Sequence, residues 1–325
     1  MNVPASFENG YARLPGIGVL SVAGRDAAKF LQGQATCDIL GLPPGQTTLG
    51  AFCTAKGRAL AVFRVLRVED RVFLLLPSDL LEAVRLHLRK YVLRAEVRIE
   101  DASAHWAAFG LFGQQSAAAL HALGLPPLDQ DNEAEGQGGL LASFYAIRMP
   151  DVGGPRVLVL ADAAKAEGIG RFWEAQGFAR LDEACWHLED IRAGLPTVTP
   201  ATAEAFVPQM LNLDLLGGIS FNKGCYTGQE IVARTHYLGS LKRRMFRLRG
   251  GEGPPPRAGD GLSVGEGEER NAGTVVAAAA SPDGGYELLA VLGGDLAETA
   301  GSVFKTAGGA RLALSDLPYL PAAAG

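Results

Sequence analysis

The run Gly250-Gly251-Glu252-Gly253-Pro254-Pro255-Pro256 divides this chain more sharply than any other stretch of it. Proline fixes its own φ and has no amide hydrogen to give, and glycine offers no side chain to pack, so neither a helix nor an inner strand continues through it. The residues beyond it fall into short pieces. They are rich in Val and Leu, near residues 261–264, 273–278, 286–291 and 310–314, and Gly and Asp separate them. The spacing predicts a small antiparallel β-barrel. Residues 241–249, Leu-Lys-Arg-Arg-Met-Phe-Arg-Leu-Arg, read as a further strand, so the barrel unit is expected over 241–325.

Ahead of the linker, strands and helices alternate in an α+β pattern with hairpins, without a regular βαβ series. Residues 18–22 predict a strand and 26–32 a helix with Ala27, Phe30 and Leu31 inward. Strands at 60–68 and 71–76 turn at Glu69-Asp70. Ser78 is placed to cap a helix carrying Leu80, Leu81, Val84, Leu88 and Tyr91 on one face, and 95–99 returns as a strand. A second unit repeats the theme: a helix at 115–123, an acidic Gly-rich loop at 126–139 expected to be solvated and mobile, strands at 140–148 and 156–160, and a helix over 163–176 ended by Gly177. A chain of 325 residues exceeds one ordinary core. The expected division is 1–106 completed by 182–240, then 107–181, then 241–325.

The net charge of −5 gives no attraction to nucleic acid or acidic lipid across the whole surface, so strong direct nucleic-acid binding is not expected. The first fifteen residues lack the pattern of a secretory signal, and no apolar run approaches bilayer length. The expected setting is a reducing cytoplasm, with no membrane partner. Cys37, Cys53, Cys185 and Cys225 are scattered without C-x-x-C spacing, which argues against a zinc site. The five histidines are isolated, and each reads as structural. Hydrolase, P-loop and dinucleotide signatures are missing.

One stretch carries chemistry. In Lys223-Gly224-Cys225-Tyr226-Thr227-Gly228-Gln229-Glu230, Thr227 and Glu230 have capping-box spacing, so a helix is expected to start near Gly228, run over 229–236 and stop at Gly239. Cys225 then lies off the positive end of that helix, two residues from Lys223, and both influences favour thiolate. A capped helix beside an inert cysteine fits the same residues.

Three further segments are open to two readings each. In Glu189-Asp190-Ile191-Arg192-Ala193-Gly194-Leu195-Pro196, read as preceding a helix, Arg192 either presents its fork to a ligand or pairs with Glu189 at the surface. Arg247 and Arg249 share a strand face that tracks an anion or is simply solvated. Lys56-Gly57-Arg58 is a basic turn or an ordinary hairpin.

Phe30-Leu31-Gln32-Gly33-Gln34, Lys56-Gly57-Arg58, Ile191 to Pro196, Pro208-Gln209-Met210 and above all Lys223 to Glu230 with Val232-Ala233-Arg234 resemble the YgfZ-type folate-binding proteins, relatives of the glycine-cleavage T-protein, an aminomethyltransferase. The resemblance implies a T-protein-like ring of three domains around a central channel that binds tetrahydrofolate. It also implies a role in assembling or repairing iron–sulfur clusters, with cluster proteins or their assembly machinery as partners, notably radical enzymes that thiolate tRNA. Cys225 is the expected reactive residue. Arg192, which resembles the arginine of the T-protein's Leu-Arg-x-Glu-Ala-Gly segment, is an expected folate contact together with Lys223, Tyr226, Gln229, Glu230, Lys56 and Arg58. The chain departs from the aminomethyltransferase in having no carboxylate over 56–61 and no matching glutamate over 145–155. A folate-dependent one-carbon transferase is therefore the second reading, and a non-catalytic RNA or protein scaffold the third.

Overall fold

A computed structural model describes residues 9–136, 144–237, 239, 241–251, 253–265, 270–298 and 303–320. The end of the expected acidic loop and the start of the strand after it lie outside the described residues, as does Glu252 of the linker.

Two antiparallel-rich sheets and a barrel make up the fold. The first sheet has the order β3 (Thr47–Cys53), β4 (Ala59–Val68), β5 (Arg71–Pro77), β2 (Ile17–Ala23), β6 (Arg98–Asp101). Glu69 takes a left-handed φ of 52° at the β4–β5 turn, as a two-residue connection requires. The second sheet has the order β11 (Ala179–Leu181), β1 (Asn9–Arg13), β7 (Trp106–Gly113), β10 (Arg156–Asp162), β9 (Phe144–Met149), β8 (Ala134–Gly136). Strand β1 thus crosses the expected boundary at 106 and pairs with β7 and β11.

The sheets face one another. Val19, Leu66, Phe73 and Leu75 of the first share a core with Phe112, Tyr145, Ile147 and Leu158 of the second. On the outer side of the second sheet, α3 (Ser116–Ala122) and α4 (Ala166–Ala175) bury Ala119, Leu120, Ile169 and Trp173. On the outer side of the first, α1 (Ala27–Gln32) buries Ala27, Phe30 and Leu31, and α2 (Leu81–Arg89) buries Leu81, Val84 and Leu88 at helical spacing. That same core takes in Leu188, Phe206, Leu213 and Val232, so residues from 182–240 pack on the first sheet.

Several local expectations change. Ser78 caps no helix; it opens a 3₁₀ turn (Ser78–Leu80) that leads into α2 without a side-chain cap. Tyr91 lies beyond α2 and is exposed beside His87. The strand expected at 95–99 forms three residues later. The Glu189 segment ends a helix, α5 (Glu183–Arg192), begun by the Asp182 carboxylate accepting from the Ala184 amide, rather than preceding one. Over its described part, the loop at 126–136 is anchored instead of loose: Glu133 Oε2 accepts from the amides of Asp129 and Gln130, and the Asn132 carbonyl accepts from the Thr47 amide.

The barrel closes as β12 (Arg243–Gly250), β15 (Tyr286–Gly293), β14 (Arg270–Ala280), β13 (Gly261–Val264), β16 (Phe304–Thr306), β17 (Arg311–Ser315), every pair antiparallel. Closure removes free sheet edges. The short β16 and the helix α7 (Gly294–Glu298) were not legible in the sequence pattern. Among the described residues no helix is long and apolar enough to cross a membrane.

Candidate functional site

The cysteine loop is held from beneath. Lys223 Nζ donates to the carbonyls of Ala35 at 2.6 Å and Cys37 at 2.7 Å, and it lies 5.1 Å from the Tyr226 ring centroid. Burial lowers the pKa of Lys223 to about 8, the Cys37 and Asp38 groups pulling weakly the other way. Among the described residues no hydrogen bond or ion pair joins Lys223 to Cys225. The cation expected to activate the thiol instead pins the loop to the segment after α1.

Helix α6 (Gln229–Tyr237) starts where expected, but not through a capping box. The Thr227 hydroxyl donates to Gln34 Oε1 at 3.3 Å, and it is Gln229 whose Oε1 reaches back to the Tyr226 amide. Glu230 is exposed. Two glycines let this loop meet the β3–β4 turn. Gly228 has φ of 82°, and a Cβ there would run into the Thr54 carbonyl oxygen; Gly57 has φ of 69°, and a Cβ there would lie 2.8 Å from Ile231 Cβ. Lys56 and Arg58 are thereby brought beside α6, with Arg58 Nη1 donating to the Ala205 carbonyl.

Three of the four scattered cysteines converge here. Cys53 backs onto Gly228, Cys37 supplies a carbonyl to Lys223, and Cys225 is exposed on the loop between them. Burial pushes the thiols of Cys37 and Cys53 up to about 12, which leaves them inert at neutral pH. Tyr226 is buried, and desolvation raises its phenol as well. Among the described residues no group of three or more His, Cys, Asp and Glu side chains could hold a metal.

Arg192 points elsewhere. Its Nε and Nη2 donate to Glu287 Oε1 on β15 and its Nη1 to Glu189 Oε1, while Arg247 takes Glu287 Oε2 at 2.7 Å. Burial opposes the Arg192 charge, the two carboxylates more than offset it, and its pKa is raised. The arginine is a buried tie between α5 and the barrel, not a surface partner of Glu189. Arg244 is likewise paired with Asp214, so two arginines of β12, Arg244 and Arg247, are neutralised within the fold, while Arg243 and Arg249 are exposed.

A cavity of about 340 Å³ opens between the two facing sheets at the end of α5. Phe63 of β4, Leu158 of β10 and Trp186 of α5 give it apolar walls, and Arg64, Asp79 and Asp190 give it charge. Trp186 reaches the sheet because Gly110 on β7 has no Cβ to obstruct its ring. Asp190 Oδ1 accepts from Arg156 Nη1 at 2.7 Å. Among the described residues that line the cavity, none is Arg192, Lys223, Cys225, Tyr226, Gln229, Glu230, Lys56 or Arg58. The cysteine loop meets the far end of the same hairpin: Leu49 lines the cavity, and Cys53 lies four residues on, roughly 13 Å along β3 at the usual strand rise. Within the motif Glu189 to Arg192, Asp190 is thus the residue that reaches the cavity. Arg64 also reaches the cavity; the signal for it in the sequence is an arginine flanked by Phe63 and Val65 in the middle of the apolar run Ala59–Val68.

Residues 14–161 match the GCVT N-terminal domain. The chain is similar to the tRNA-modifying protein YgfZ of Edwardsiella ictaluri (strain 93-146), with 39% identity over 307 residues that cover 92% of this chain and 89% of the relative. It is similar also to the tRNA-modifying protein YgfZ of Sodalis glossinidius (strain morsitans), with 34% identity over 304 residues, 93% of this chain and 90% of the relative. Among solved structures it resembles the glycine cleavage system aminomethyltransferase T of Bartonella henselae, with a TM-score of 0.73 at 18% identity over 97% of this chain and 87% of that one. The last likeness establishes a T-protein-like fold.

Proposed function

This chain belongs to the YgfZ family, and on that premise we propose that it is a tetrahydrofolate-binding accessory protein for assembly or repair of iron–sulfur clusters, supporting cluster enzymes that modify tRNA. The observation that carries the folate part is the cavity between the sheets. Its volume suits a small heterocycle, and its make-up, apolar walls with a few convergent charges, is that of a small-molecule site. The donor set also fits the group: Trp186 and Phe63 contribute apolar wall beside a planar ring, and Asp190 offers a carboxylate to ring N–H donors. When bound, tetrahydrofolate supplies a reduced pterin able to carry a one-carbon unit. The chain's own part is to exclude water from that ring, orient it with Asp190 and Arg64, and keep Cys225 exposed on a loop pinned by Lys223.

Cys225 is the residue proposed to meet a partner's cluster or sulfur. Tyr226 and Gln229 shape its loop, and Lys56 and Arg58 flank it, where an anionic tail or partner would find them. Four free thiols suit a reducing cytoplasm. One-carbon transfer is the second reading, favoured by the two carboxylates, Asp79 and Asp190, that the fold brings into the cavity. Calorimetric titration with tetrahydrofolate tests the first premise. Saturable heat is expected from wild type, and none from wild type would remove folate from the proposal. For the cluster role, wild type should restore thiolated tRNA in cells lacking the protein and Cys225→Ser should not. Turnover by purified protein without a partner would favour the transferase instead.

A further inference from the structure

Arg64 is a charge without a counter-charge. It sits on β4 between Phe63 and Val65 with 5% of its surface exposed. Its Nη1 donates to Thr47 Oγ1 at 3.0 Å and to Asn132 Oδ1 at 2.6 Å, both neutral acceptors. Among the described residues no carboxylate closes an ion pair with it. Burial lowers its pKa to about 10, and Asp190 is the strongest influence acting the other way. A guanidinium buried in this manner is costly unless something compensates it.

Asp190 faces the same cavity but is held away from Arg64. Arg156, 1% exposed, takes Asp190 Oδ1 at 2.7 Å. Arg156 is itself fixed, with Nε donating to the Pro150 carbonyl at 3.1 Å and its guanidinium 4.9 Å from the Trp186 ring centroid. The carboxylate keeps 20% of its side-chain surface open. A cation and an anion therefore line one apolar-walled cavity, each in the other's field, without closing on each other.

We infer that Arg64 and Asp190 together read one edge of a planar heterocycle that presents a carbonyl oxygen beside ring N–H and amino donors, as the 2-amino-4-oxopyrimidine edge of a pterin does. Arg64 donates to the oxygen and Asp190 accepts from the two nitrogen-bound donors. The inference rests on the folate reading and deepens it, because it assigns the ring, not the glutamate tail, to these two residues. A tail carboxylate beside Arg64 would meet the negative Asp190 in the same cavity. A neutral edge with one acceptor and two donors satisfies both charges. Arg156 is the positioning residue that keeps Asp190 open to it.

The test is calorimetric titration of wild type, Arg64→Met and Asp190→Asn with two probes, tetrahydrofolate and the tailless 6-methyltetrahydropterin, alongside thermal unfolding. Each substitution should weaken both probes by about 10- to 100-fold, the usual worth of a hydrogen bond to a charged group. Arg64→Met should lower the unfolding midpoint only slightly, since it removes hydrogen bonds to two neutral acceptors and breaks no ion pair. Loss of tetrahydrofolate affinity with the tailless ring unaffected would make Arg64 a tail contact and overturn the inference. So would unchanged affinities, or a large fall in the midpoint of Arg64→Met, which would mark a structural arginine. Should Arg64→Met not fold, Arg64→Lys keeps the charge without the fork and is expected to weaken both probes; full affinity there would equally overturn it. If wild type binds neither probe, the folate reading itself fails; if wild type binds and the variants match it, only this inference does.

Discussion

Arg192 and Glu287, 95 residues apart in the chain, meet at 2.9 Å and join the last turn of α5 to β15, the barrel strand paired with β12. Glu287 is 1% exposed and serves two arginines, so its loss would leave Arg247 without its carboxylate and Arg192 with Glu189 alone.

Glu287→Gln should therefore destabilise the fold by roughly 3–5 kcal/mol, the typical cost of breaking a buried pair from one side. Replacing Arg192, Arg247 and Glu287 together by apolar residues should cost less than Glu287→Gln alone. Urea unfolding of these variants measures both, and a triple variant weaker than the single one would show that the cluster is worth more than its desolvation.

Lys223 makes stability depend on pH in a defined direction. Its folded pKa is lowered to about 8 from 10.5, so between those values the unfolded chain holds the extra proton and stability contributed by this group rises with pH. Wild type should gain relative to Lys223→Met as pH is raised from about 8 toward 10. An NMR titration of the lysine side chains, assigned with the same variant, should find one midpoint near 8; a midpoint for Lys223 at the ordinary value sinks the claim.

The cysteines should separate by rate. In the native protein Cys225 should react first with a thiol reagent, with Cys37 and Cys53 reacting only on unfolding because burial holds both thiols protonated. Cys225→Ser should remove the fast phase. A fast phase that survives the substitution would assign the accessible thiol elsewhere.

Gly228→Ala places a side chain at φ of 82° against the Thr54 carbonyl. A destabilisation of about 1–3 kcal/mol is expected, felt locally as faster amide exchange in the loop and at the β3–β4 turn. Unchanged exchange at Thr54 to Arg58 would show that the two loops are not mutually supported.

What the sequence discloses here is local. Helix α2 was legible because Leu81, Val84 and Leu88 repeat at helical spacing, and the barrel because its strands are short and punctuated by glycine. The start of α6 is legible but its cap is not, since Thr227 answers to Gln34, nearly two hundred residues earlier. Arg192 reads in the sequence as a folate contact or a surface partner of Glu189, and its stronger partner, Glu287, lies on a distant strand. Arg64 escaped notice because an apolar run signals a strand whatever one residue within it does, and only the facing sheet reveals that it borders a cavity. The same holds for the anchored acidic loop, whose hold on the first sheet passes through Asn132 and Thr47.

Two neighbouring positions on one turn of α5 serve different masters: Asp190 belongs with Arg156, and Arg192 belongs with Glu287. Evolution can retune the pocket or the barrel seam, but each change has to be matched by a distant partner and not by the adjacent residue. Drift along this short helix should accordingly fall into two independent sets, one tracking the cavity and one tracking the joint.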